Sequence, residues 1–123
     1  MSLSIRERLE GILKNLKSVG DIDSSAIVSR DGLLIASDIS SSVNAEAFAA
    51  MTATMVGAAE TAAEELGKGL SERVIVECKE GKIIATGAGK ESLLVVMTNP
   101  KANLGLVLLE MKKASERIRE ILG

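Results

Sequence analysis

Ile5, Leu9, Ile12, Leu13, Leu16 and Val19 recur at three- and four-residue intervals, with Arg6, Glu7, Glu10, Lys14 and Lys17 between them. That spacing predicts an amphipathic helix with one apolar stripe and one wet face. Ser4 and Glu7 have capping-box spacing, and Gly20 stands where a glycine would end the helix. Two strands follow at 26–30 and 33–37, flanking Asp31-Gly32, whose tolerance of positive φ suits a hairpin turn. Ser40-Ser41-Ser42 reads as a polar connector, and Asn44 is placed to cap a helix that runs to about Gly67.

That second helix carries two stripes. Phe48, Thr52, Met55, Ala59, Ala62 and Leu66 form an apolar-to-small row at helical spacing. Beside it, Ala47, Ala50, Met51, Thr54, Gly57, Ala58 and Thr61 are nearly all small or apolar as well, with charge confined to Glu46, Glu60, Glu64 and Glu65. Three further strands are predicted at 72–79, 82–88 and 92–98, joined by Glu80-Gly81 and by residues 87–91. Asn99-Pro100 stops the last of them. Asn103 then caps a final helix whose stripe is Leu104, Val107, Leu108, Met111, Ala114, Ile118 and Leu122. The order α-β-β-α-β-β-β-α, without a repeating β-α-β period, predicts an α+β fold: one mostly antiparallel sheet with helices on its faces.

A chain of 123 residues fits one domain, 1–123, because two cores would each be too small to offset the entropy of ordering them. With one Phe and no Trp or Tyr, the core must be built from Val, Ile, Leu, Met and Ala. The formal net charge of -2, with both signs interspersed, gives no concentrated basic surface for nucleic acid. A single cysteine, Cys78, cannot form an internal disulfide and fits a reducing cytoplasm. No apolar run approaches the roughly 20 residues that span a bilayer, and the charges within the first sixteen residues speak against a secretory signal. The expected location is cytoplasmic, with no membrane insertion.

Candidate chemistry is sparse. Gly87-Ala88-Gly89-Lys90-Glu91-Ser92 suggests a phosphate loop, but Ile84 occupies the position of the first glycine and Glu91 follows the lysine where Ser or Thr is needed. It also joins strand to strand, so it reads as a structural turn. No histidine is present, which removes the usual neutral-pH base and commonest metal ligand. Asp21 and Asp23 read as a solvated turn and not as a cation site. Cys78, on the Val74 and Val76 side of its strand, reads as a small buried hydrophobe. Neither an enzyme nor a cofactor or metal site is expected.

The double-striped helix has two explanations. Its own chain covers both faces, or a partner covers one. So short a domain has few elements left for a second face, which favours the partner. A two-fold interface burying roughly 800 Å² per subunit would remove such a face from water.

The element order, the run Ile27-Val28-Ser29-Arg30-Asp31-Gly32-Leu33-Leu34-Ile35-Ala36-Ser37 and the closing Asn99-Pro100-Lys101-Ala102-Asn103-Leu104-Gly105-Leu106 together resemble the roadblock family, also called dynein light chain roadblock proteins. The resemblance covers nearly the whole chain. It implies a longin-like, profilin-like fold: a five-stranded antiparallel sheet with the alanine-rich helix on one face and the terminal helices on the other. It further implies homodimers or heterodimers in which the central helices pack together and the strand at 72–79 continues the sheet across the axis. The dimer surface expected here comprises Ala47, Ala50, Met51, Thr54, Gly57, Ala58, Thr61, Val74 and Val76. Such dimers serve as platforms for Ras-like small GTPases, as regulators or as scaffold subunits of larger complexes including dynein, and the chain without long tails looks more like the bacterial and archaeal regulators than like a dynein subunit. The family supplies no fixed catalytic motif, and Arg30 and Arg73 read as solvated surface.

Three functions follow in order of preference. The first is a homodimeric partner or regulator of a Ras-like small GTPase. The second is a scaffold subunit that pairs with other roadblock or longin-type chains, and the third a nucleotide or small-molecule binder that uses residues 87–91.

Overall fold

The computed structural model describes residues 3–40 and 42–123. Ser41, in the middle of the polar connector, lies outside the described residues. Helix α1 spans Ile5–Lys17, strands β1 and β2 span Ile22–Ser29 and Leu34–Asp38, and helix α2 spans Ala45–Glu65. Strands β3, β4 and β5 span Arg73–Cys78, Gly81–Gly87 and Ser92–Thr98, and helix α3 spans Leu104–Leu122. The order is the expected one. All five strands form one antiparallel sheet in the spatial order β2-β1-β5-β4-β3.

Local chemistry starts each helix where the sequence predicts. Ser4 and Glu7 make the reciprocal capping box, while Asn44 and Asn103 accept from the backbone N–H groups of Ala47 and Leu106. Helix α2 ends in a Schellman arrangement: the Lys68 N–H donates to the Ala63 carbonyl, that of Gly67 to the Glu64 carbonyl, and Gly67 has φ +69°.

Alternation along the central strands sorts two cores. Ile27, Ile84, Leu94 and Val96 face α1 and α3, joining Leu9, Leu13, Met111 and Ile118. Ala26, Val28, Ala85, Leu93 and Val95 face α2, where Phe48, Ala49 and Val56 meet them. The alanine-rich helix therefore lies on one face and the terminal helices on the other. Among the described residues, no helix is long and apolar enough to cross a membrane.

Three boundaries differ from expectation. Strand β1 begins at Ile22, four residues early, because Ser24 and Ser25 pair with Met97 and Val96 of β5 and are buried despite their hydroxyls. Asp23 therefore lies in a strand; Asp21 alone forms the turn, with its carboxylate accepting from Asn99 Nδ2 at 2.9 Å. The β1–β2 connection also differs from a two-residue turn. The Gly32 N–H donates to the Ser29 carbonyl and that of Ser29 to the Leu33 carbonyl, so the loop is Arg30-Asp31-Gly32 and only Gly32 takes positive φ. The β3–β4 turn is Lys79-Glu80, and Gly81 pairs with Cys78 as the first residue of β4. A Cβ at Gly81 would stand 1.8 Å from the Thr98 carbonyl oxygen, so glycine there serves the close approach of β5.

Candidate interaction surface

Helix α2 meets β1, β2 and β3 through one side only. Its buried residues are Phe48, Ala49, Thr52 and Val56, and beyond Val56 none is buried. Ala62 and Leu66 share the angular side of Phe48 yet are exposed, a correction to the inner stripe expected from periodicity alone. Past Val56 only Ala59, Glu60 and Ala63 are half-buried, so the last turns of the helix are covered more thinly than the first.

The opposite side of α2 is bare. Ala47, Ala50, Met51, Thr54, Gly57, Ala58 and Thr61 are all exposed, and Met51 retains 63% of its accessible surface. No charged residue occurs from Ala47 to Ala59. The two hydroxyls on this face are satisfied within the helix: Thr54 Oγ1 donates to the Ala50 carbonyl at 2.9 Å and Thr61 Oγ1 to the Gly57 carbonyl at 3.0 Å. Their hydroxyl protons therefore need no partner outside the helix. Gly32 of the hairpin loop lies against Ala50 and Ala53, and the exposed Leu33 after it adds apolar surface at that end.

Strand β3 is an edge of the sheet, and among the helices only α2 lies against it to any extent. Val74 and Val76 are half-buried, with Val74 packed in the α2-side core, while Ile75 faces the other way. The expected surface residues thus fall into two adjoining groups, seven on the outer side of α2 and two on the strand beneath that helix.

Cys78 is exposed, not the buried hydrophobe expected from its strand. It pairs with Gly81 at the hairpin end of the outermost strand, so alternation alone does not bury it. Arg30 is also corrected. Its Nη1 donates to Glu60 Oε1 at 2.9 Å and its Nε to the Lys90 carbonyl at 3.2 Å, tying the β1–β2 loop to α2 and to the β4–β5 loop. Arg73 is exposed as expected. Both arginines, with Arg119, line a cleft of about 400 Å³ where β3 begins; Glu60, Glu72 and Glu116 line it too, so its charge is mixed. That convergence is invisible in sequence, because the residues are far apart along the chain.

The β4–β5 loop uses its amides internally. The Ala88 N–H donates to the Ser92 carbonyl and that of Lys90 to the Gly123 carbonyl, and Gly89 has φ +110°. It joins strand to strand, with no helix N-terminus behind it. Among the described residues, no cluster of three or more His, Cys, Asp or Glu side chains is placed to hold a metal.

Residues 8–98 match the family model described as the Roadblock/LC7 domain. MJ1340 of the archaeon Methanocaldococcus jannaschii, described as an uncharacterized protein, is 41% identical over 111 residues, covering 90% of this chain and 96% of the relative. MJ0310 of the same archaeon is 40% identical over 111 residues with the same coverage. Among solved structures, Myxococcus xanthus MglB superposes with a TM-score of 0.89 at 24% identity, covering 98% of this chain and 92% of that one. Profilin IA of Acanthamoeba castellanii superposes with a TM-score of 0.63 at 16% identity, covering 95% and 98%, a likeness of fold alone.

Proposed function

Because the chain belongs to the Roadblock/LC7 domain family, we propose that it is a homodimeric interaction module that binds and regulates a Ras-like small GTPase. The observation that carries the dimer is the uncharged outer side of α2 adjoining the bare edge of β3. Exposed apolar surface of a few hundred Å² costs several kcal/mol at about 25 cal/mol per Å², which a second copy would recover. Small side chains also let two helices approach closely, and an interface of roughly 800 Å² per copy is within reach of a 21-residue helix and one strand.

Family membership carries the GTPase half of the reading. The dimer would use up the outer side of α2, so the GTPase would read a composite surface contributed by both copies. Binding, with no reaction carried by this chain's own side chains, is the proposed mode of action.

The test is capture of a purified Ras-like small GTPase from the chain's source organism. Purified dimer immobilised on resin is expected to retain the GTPase loaded with either GDP or a GTP analogue, and to prefer one state. Retention in neither state overturns the GTPase half and leaves an assembly subunit as the remaining reading.

A further inference from the structure

The two edges of the sheet differ in what surrounds them. Strand β2 has α1 on one face and α2 on the other, and Asp38 at its end pairs with Lys17 of α1 at 3.6 Å. Strand β3 lacks a second helix, and neither Arg73 nor Glu77 takes part in an ion pair among the described residues. Both are exposed, on the same face of the strand as Ile75.

Backbone geometry restricts how such an edge can accept a strand. The two-residue turn Lys79-Glu80 is closed by Cys78 and Gly81, a position that forms a hydrogen-bonded pair in such hairpins. Counting back, Val76 and Val74 also turn their N–H and C=O groups toward β4. Those of Arg73, Ile75 and Glu77 point outward, free to bond a new strand.

A second copy related by a two-fold axis must run antiparallel, and directly opposed residues must share a face. Centring the axis on Val76 would set Arg73 against the partner subunit's Lys79 and Glu72 against the partner subunit's Glu80, four like-charge contacts per dimer. Centring it on Val74 would set Arg73 against the partner subunit's Ile75 and leave Glu77 beyond the paired strand. Centring it on Ile75 sets Arg73 against the partner subunit's Glu77 twice over, and Val74 against the partner subunit's Val76 on the α2 side. Opposed opposite charges stabilise a strand pair and opposed like charges destabilise it.

Resting on the homodimer reading above, we infer that Arg73 and Glu77 are the specificity pair of self-association, fixing β3 against its symmetry mate with Ile75 on the axis. The pair selects a second copy of this chain over any relative whose edge strand lacks the same charge arrangement. That selection has a use where related chains coexist, as MJ1340 and MJ0310 do in one archaeon.

A charge-swap experiment on the full chain tests this. R73E places four carboxylates along the axis and E77R four guanidinium groups, so each variant alone should self-associate roughly tenfold more weakly at low salt. Mixed one to one, the two are complementary at every opposed position and should form a heterodimer within about threefold of wild-type affinity. Both positions are exposed, so each variant should keep the wild-type melting profile as a monomer. Tighter association of R73E alone would mean that Arg73 faces Lys79, overturning this register while the dimer stands. Unchanged association of both variants, or failure of the mixture to recover, overturns it likewise. A wild-type chain that never dimerises would overturn the homodimer reading and this inference with it.

Discussion

Helices α3 and α2 are of similar length, 19 and 21 residues, yet one is finished by its own chain and the other is not. Helix α3 buries Val107, Met111, Ala114, Ser115 and Ile118 along nearly its whole run and, beyond the exposed Leu106 and Leu109 of its first turns, turns a charged side to solvent. Helix α2 buries residues only in its first three turns and presents small, uncharged side chains on the opposite side. The contrast extends to the sheet faces. Two helices share the face carrying Ile27 and Leu94 but stop short of β3, whereas α2 alone covers the other face and reaches that edge strand. A surface stripe of small, uncharged residues has little use to a monomer, and this difference is what motivates the proposed dimer.

The largest expected effect lies on the finished side. Ile118→Ala removes a fully buried side chain from between α3 and the sheet and should cost about 2–5 kcal/mol in urea unfolding. A cost near zero would mean that this face is less complete than its burial indicates. On the unfinished side, Ala58→Arg should leave the monomer's melting almost unchanged but weaken dimerisation by about 2–3 kcal/mol, near 100-fold, since a long stem lets part of the charge escape to water. Unaltered sedimentation of this variant would place the interface elsewhere on α2.

Ser4→Ala, at the start of α1, should cost about 1 kcal/mol, because the N-cap hydroxyl accepts the Glu7 N–H at 3.1 Å. The smallest effect concerns Glu7 itself. Hydrogen bonds from the Ser4 backbone N–H, and then from its side chain, hold the carboxyl below its usual value of 4.5. A folded-state pKa that is depressed contributes stability above the unfolded value and loses it as pH falls through the folded one. Glu7→Gln should therefore flatten a slight acid-side loss of stability below about pH 4.5 while changing little at pH 7. An unchanged acid profile would show that the cap's second bond is not formed in solution.

What the sequence reveals follows the reach of the interaction involved. The caps at Ser4, Asn44 and Asn103 act across three residues, and the α3 stripe repeats over five turns, so both can be read directly. The outer face of α2 is legible for the same reason: its small residues recur at helical spacing. Features set by distant partners are not. Gly81 looks like a turn residue, but the constraint is the Thr98 carbonyl of β5, and Ser24 and Ser25 look like loop until β5 pairs with them. Arg30 looks solvated because Glu60 and Lys90 are 30 and 60 residues away. Ala62 and Leu66 fall on the same angular side as Phe48 yet are exposed, because periodicity does not say which turns of a helix its chain covers.

The central claim is that the outer side of α2 and the edge of β3 join two copies of this chain. Sedimentation equilibrium of the wild-type chain measures it most directly. The account predicts twice the 12.9 kDa chain mass at about 10 µM, with a shift toward the single-chain mass on dilution. A mass of 12.9 kDa at every concentration up to about 100 µM would contradict it.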